Sequence, residues 1–109
     1  MTTLWKLDDE GTPVPCRDPI EWSKWFETTM DGSRHLGDTR VGRYRVSTIF
    51  LAVDHNWYGT GPPILWETMV FTRKGRTFED YERRYSSRDA ALDGHKWTVR
   101  AVKRMVSRP

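Results

Sequence analysis

Asp54, His55, Glu67 and His95 are the residues of this sequence whose types invite a chemical reading. The first two follow an apolar run, STIFLAV (47–53); the third sits in another, ILWETMVFT (64–72); the fourth falls on the apolar stripe of a C-terminal helical pattern. Two carboxylates and two imidazoles gathered in one place would suit ligation of a divalent metal, or the acid and base roles of a metal-assisted hydrolase or nuclease. Their spacing matches no metal signature. A helical H-E-x-x-H places its histidines on one face unaided, whereas here three separate elements have to meet. Each residue also has an ordinary structural use. Asp54 and Asn56 suit a loop entry, because short polar side chains bond nearby backbone amides. His55 can anchor the loop that follows, and Glu67 can face water or pair with Arg45 or Arg83 across a sheet. His95 can be a core histidine that bonds Glu67 or Asp54 and locks a helix to the sheet. A structural polar network, a binding pocket and a catalytic cluster are three uses of the same four residues.

Between the two apolar runs lies DHNWYGTGPP (54–63), longer than a tight hairpin needs, and long connections are where binding residues concentrate. Trp57 and Tyr58 occupy its tip. An aromatic exposed there calls for a partner, unless it folds back as a lid on the core. The candidate pocket therefore comprises Asp54, His55, Trp57, Tyr58, Glu67 and His95. Other chemistries fit less well. GTGPP leads into no helix and its prolines remove backbone donors, so it is no phosphate loop. No G-x-S-x-G elbow is present, and Ser47 with Thr68 reads as a hydroxyl pair across two strands.

The elements that must position these residues follow from local pattern. TLWKLD (3–8) alternates and is closed by DEGTP, a short strand and a turn. Asp18, Pro19 and Glu21 make a helix start, with a capping acid, proline at the first helical position and a carboxylate three residues after the cap. That helix is expected to run to about Met30, with Trp22, Trp25 and Phe26 on its packing face. DGSRHLGD (31–38) reads as a loop with His35 exposed. From Arg40 to Val53 the chain reads as one strand with a bend or bulge at Gly42, and ILWETMVFT as the next. RKGRT (73–77) is expected as a turn and FEDYERRY (78–85) as a charged edge strand. Ser86 or Ser87 then caps a last helix, whose stripe holds Ala91, His95, Thr98, Val99, Val102 and Met105. The order β-α-β-β-β-α implies an α+β fold, an antiparallel sheet of three to four strands with both helices on one face.

Composition narrows the class. The 109 residues suit a single domain, 1–109, and they are 37% hydrophobic and 30% charged with a mean hydropathy of -0.75. No apolar run is long enough to span a bilayer, and the N-terminus has no basic-then-apolar leader, so a cytoplasmic protein with no membrane partner is expected. One cysteine, Cys16, allows no internal disulfide and reads as a small buried hydrophobe. The net charge of +3 is modest, but Lys96, Arg100, Lys103, Arg104 and Arg108 follow His95 with no acid between them. Such a run could grip the phosphates of a nucleic acid; it also suits the solvated, dipole-favoured end of a helix. Six tryptophans are many for this length, enough for core and for a partner surface.

The segments WSKWFE, VSTIFLAVDHNWYGTGPPILWETMVF and RRYSSRDAALDGHKW resemble a family of small proteins encoded by tailed bacteriophages and prophages. The resemblance spans about residues 4 to 100 and is most specific at STIFLAVDH (47–55), at GPPILWETMVF (61–71) and at Gly94 with His95. The basic RKGRT stands where a glycine-rich turn is usual in that family. The resemblance implies a phage origin and a compact fold, and it carries no catalytic residue over. Taken together, a phage-encoded accessory protein is expected, working by binding rather than catalysis, in the host cytoplasm. Its partner would be a host protein that it inhibits or a small molecule that it sequesters. It would need no cofactor unless the acidic and imidazole groups hold a divalent metal, and a homodimer is compatible with this reading.

Overall fold

The computed structural model describes residues 3–72 and 77–107. In chain order they form β1 (Trp5–Leu7), β2 (Pro13–Pro15), α1 (Pro19–Glu27) with a 3₁₀ turn (Thr28–Asp31), β3 (His35–Val41), β4 (Tyr44–Phe50), β5 (Trp66–Thr72), β6 (Thr77–Tyr85) and α2 (Arg88–Val106). The fold is α+β. Residues 73–76, nearly all of the basic RKGRT turn expected from the sequence, lie outside the described residues.

Both helices begin where their caps dictate. Asp18, in an extended conformation, accepts the Ile20 amide at 2.9 Å, with Pro19 next in line. Ser87 accepts the Ala90 amide at 3.1 Å, and Asp89 in the first turn with Lys103 and Arg104 in the last complements the dipole of α2. Near the N-terminus, the Asp8 carboxylate takes the amides of Glu10 and Thr12, each at 2.9 Å, and turns β1 back onto β2. The chain after that turn is a second strand, which the sequence pattern had not indicated. A two-stranded ladder leaves each strand an unpaired edge, which accommodates the prolines of β2.

Two sequence expectations are corrected between residues 31 and 53. Residues 35–41 are a strand, and His35 is half-buried with its Nε2 3.4 Å from Arg45 Nη2. Gly42 is neither bend nor bulge: with Arg43 it forms the two-residue turn of the β3–β4 hairpin. Its φ of 60° is what the first central position of a II′ turn requires. The alternation Val41, Tyr44, Val46 continues across that turn, so a two-residue hairpin leaves almost no break in the hydrophobic period.

Strands β3 to β6 form one antiparallel meander in sequence order. Side chains alternate between its faces. Tyr44, Val46, Thr48 and Phe50 of β4, with Trp66, Thr68 and Val70 of β5, point toward α2; Arg45, Ser47 and Ile49, with Glu67, Met69 and Phe71, point away. Both helices pack on the first face. Alpha-helix α2 contributes Ala91, His95, Thr98 and Val102, all buried. The α1 side chains Trp22, Trp25 and Phe26 close the end of that face over Phe50 and Trp66, with Trp25 edge-on to Phe50 at 6.2 Å. The core has two apolar clusters, one around Val41, Tyr44, Val46, Val70 and Val102, the other around Phe50, Ala52, Leu65, Trp66 and Ala91. Each fully buried large side chain contributes roughly 1.5–3 kcal/mol. Cys16 is buried, as expected. No described helix is long and apolar enough to cross a membrane.

Candidate functional site

His95 stands between the two apolar clusters. Its Nε2 is 2.9 Å from Thr39 Oγ1 and its Nδ1 is 2.7 Å from Thr48 Oγ1. Thr48 is 2.6 Å from Thr68 Oγ1, which also accepts from Tyr85 Oη at 3.2 Å. A neutral imidazole has one donor and one acceptor, and here both nitrogens are engaged by threonines. The approach is close enough to need glycine on both sides. A Cβ at Gly37 would lie 2.6 Å from His95 Nε2, and one at Gly94 would run into the Tyr85 phenol. Burial pushes the His95 imidazole below its ordinary value of 6.5. His95 therefore locks α2 to the sheet, one of the roles its sequence position allowed, but with threonines as partners and neither Glu67 nor Asp54.

Glu67 faces the other way. The register sets it opposite Arg84, and its Oε2 accepts from Arg84 Nε at 2.9 Å. Neither sequence-expected partner is free to serve it: Arg45 bonds Asp38, and Arg83 lies over the Trp97 ring at 4.2 Å. The hydroxyl pair across β4 and β5 is likewise Thr48 with Thr68, because Ser47 pairs with Met69 on the opposite face.

Asp54 and His55 stay in the loop they introduce. The Asp54 carboxylate accepts the amides of Asn56 at 2.8 Å and Ile64 at 2.9 Å, tying the two ends of the loop together. His55 Nδ1 donates to the carbonyl two residues before it, Val53 O, at 2.8 Å, and the His55 amide bonds Ile64 O. Asn56 spans the interior: its Nδ2 donates to Thr60 O and Pro62 O at 2.7 and 2.9 Å, and its Oδ1 accepts the Tyr58 amide at 3.2 Å. On this braced backbone Trp57 is 69% exposed and Tyr58 89% exposed. Trp57 rests one edge near the His55 ring, 5.2 Å between centroids, and is no lid on the core. Beside the loop, Trp5, Pro15, Arg17 and Pro63, with Asp54 and Asn56, line an open cleft of about 270 Å³.

The four residues whose types suggested metal ligation are thus not brought together. Asp54 and His55 belong to the loop, Glu67 to the face away from α2, and His95 to the seam beneath α2. Among the described residues no group of three or more His, Cys, Asp or Glu is placed to hold a metal ion. What the structure does bring together is Asp54, His55, Asn56, Trp57 and Tyr58. Thr39 and Thr48 complete the contacts of His95, and Arg84 those of Glu67, and none of the three stands out by residue type. For Thr48 the signal was present, since it alternates in phase with Val46 and Phe50; the pairing register that selects Arg84 has no local signal.

The site so defined is an aromatic loop carried on a two-layer α+β scaffold. No family model, no characterised protein and no solved structure matches this chain.

Proposed function

We propose that this chain is a binding protein, an accessory protein of phage origin that occupies a host protein in the host cytoplasm through the tip of its 54–63 loop. One observation carries the proposal: adjacent Trp57 and Tyr58 stand mostly in water on a loop whose backbone is held by five side-chain hydrogen bonds from Asp54 and Asn56. Tryptophan and tyrosine dominate the energetics of protein contacts. Holding them in place beforehand reduces the ordering cost of association. Asp54, His55 and Asn56 serve this role as braces and not as ligands. A small molecule is the weaker alternative partner, because the adjoining cleft of about 270 Å³ is open and falls just under the roughly 300–1,000 Å³ of ordinary ligand sites. For nucleic acid, the cations of α2 offer no added support. Lys96, Arg100, Lys103 and Arg104 follow Asp89 and Asp93 along the helix in the order its dipole favours.

Affinity capture tests the proposal. Immobilised wild type and a Trp57→Ala/Tyr58→Ala variant are exposed to extract of a bacterium that carries the gene as a prophage. The expected result is a protein recovered with wild type and depleted with the variant. Recovery of the same proteins by both would refute it.

A further inference from the structure

The sheet face turned away from α2 carries no helix among the described residues, and its charges are sorted by side. On the β3–β4 half one carboxylate stands among two arginines. Asp38 accepts from Arg45 Nε at 2.7 Å and from Nη2 at 3.2 Å. Arg40 lies directly opposite Arg45 in the register, an arrangement in which like charges repel, and has no ion pair of its own among the described residues. Among the described side chains the β5–β6 half is the reverse, one arginine among two carboxylates. Arg84 bonds Glu67 at 2.9 Å and Glu82 at 3.0 Å. Among the described side chains one half is thus net positive and the other net negative. Between them Ile49, Met69 and Phe71 remain only partly buried.

We propose that this face is the interface of a symmetric homodimer, in which the β3–β4 half of one copy lies over the β5–β6 half of its partner. The charges select the symmetry axis. A two-fold axis in the interface plane and along the strands exchanges the sheet's two edges, setting positive half on negative half twice. An axis across the strands would set each half upon its own kind. The favoured arrangement also keeps the strands of the two sheets nearly aligned, which is how sheets commonly stack, at about 30°. A second copy is the occupant because the surface is complementary to itself, the condition for an isologous contact. Four strands about 4.8 Å apart, overlapping over about seven residues at about 3.3 Å each, give a face on the order of 400 Å² in projection. That places the contact at the small end of stable interfaces, so the dimer dissociates on dilution.

Sedimentation velocity over a micromolar concentration series tests this with Arg40→Glu and Glu82→Arg, both at exposed positions. Wild type is expected to dimerise, and each reversal to weaken self-association at least about tenfold, a difference of about 1.4 kcal/mol. An equimolar mixture of the two is expected to regain wild-type association, since in the mixed dimer one contact is reversed on both sides and the other is native. Wild type remaining monomeric would overturn the proposal, as would reversals without effect, or a mixture as weak as its components. Wild type alone supplies a further check. Its dimer should weaken as salt rises, and a dimer indifferent to salt would also overturn the assignment.

Discussion

The two faces of the four-stranded sheet are built from alternate residues of the same strands, yet their polar groups meet opposite fates. Beneath α2, the polar side chains around His95 find neutral partners: His95 bonds Thr39 and Thr48, Thr48 bonds Thr68, and Tyr81 bonds Thr98 at 2.7 Å. On the other face the charged groups pair with one another, with Glu67 buried, and among the described side chains each half keeps an excess of one sign. The difference teaches where chemistry can be sought. A polar group satisfied inside a dry seam is committed to holding the fold, because an unpaired buried donor or acceptor costs about 1–3 kcal/mol. A charge at the surface has little to do with folding and is available to a partner.

The sharpest way to break that contrast is His95→Ala. It leaves a cavity between two apolar clusters and removes a partner from both Thr39 and Thr48, so a loss of about 3 kcal/mol is expected in urea unfolding. A loss below about 1 kcal/mol would mean that the seam does not hold the helix. Thr48→Val keeps the volume and deletes the hydroxyl that both His95 and Thr68 use, and should cost about 1–2 kcal/mol by the same measurement.

Acid should act on the covered face first. Because burial depresses the His95 pKa in the folded chain, the unfolded chain binds more protons once the pH falls below about 6.5. The stability this group provides is therefore complete above that value and is lost as pH falls through 6.5 and on down to the folded pKa. Unfolding free energy measured across that window should decline for wild type, and His95→Gln should flatten the decline. An imidazole titrating above 6.5 by NMR in the folded protein would reverse the sign and contradict the assignment. On the open face, by comparison, Glu82→Ala should change stability by no more than about 0.5 kcal/mol, since an exposed ion pair contributes little.

How much of this was legible beforehand depends on the range of the interaction concerned. Caps and turns are local, and Asp18, Ser87 and the Asp8 turn could be read from neighbouring residues. The helical stripe put His95 inward for the same reason. Strand β3 was missed because His35, Gly37 and Asp38 carry weak strand signals, and pairing with β4 overrides them. The metal cluster failed on a parity argument that register alone supplies. Thr48 and Thr68 face α2, so Glu67, one residue from Thr68, must face away from His95. Sequence placed Trp57 and Tyr58 at a loop tip, but their exposure was open until the Asp54 and Asn56 bonds could be seen.

The central claim is that Trp57 and Tyr58 serve a partner and not the fold. Once a captured host protein has been purified, titration calorimetry with wild type and Trp57→Ala decides it. The expected result is binding weakened at least about thirtyfold, or about 2 kcal/mol, the scale of an aromatic hot spot, in a variant that unfolds within about 0.5 kcal/mol of wild type. Undiminished affinity in the variant would contradict it.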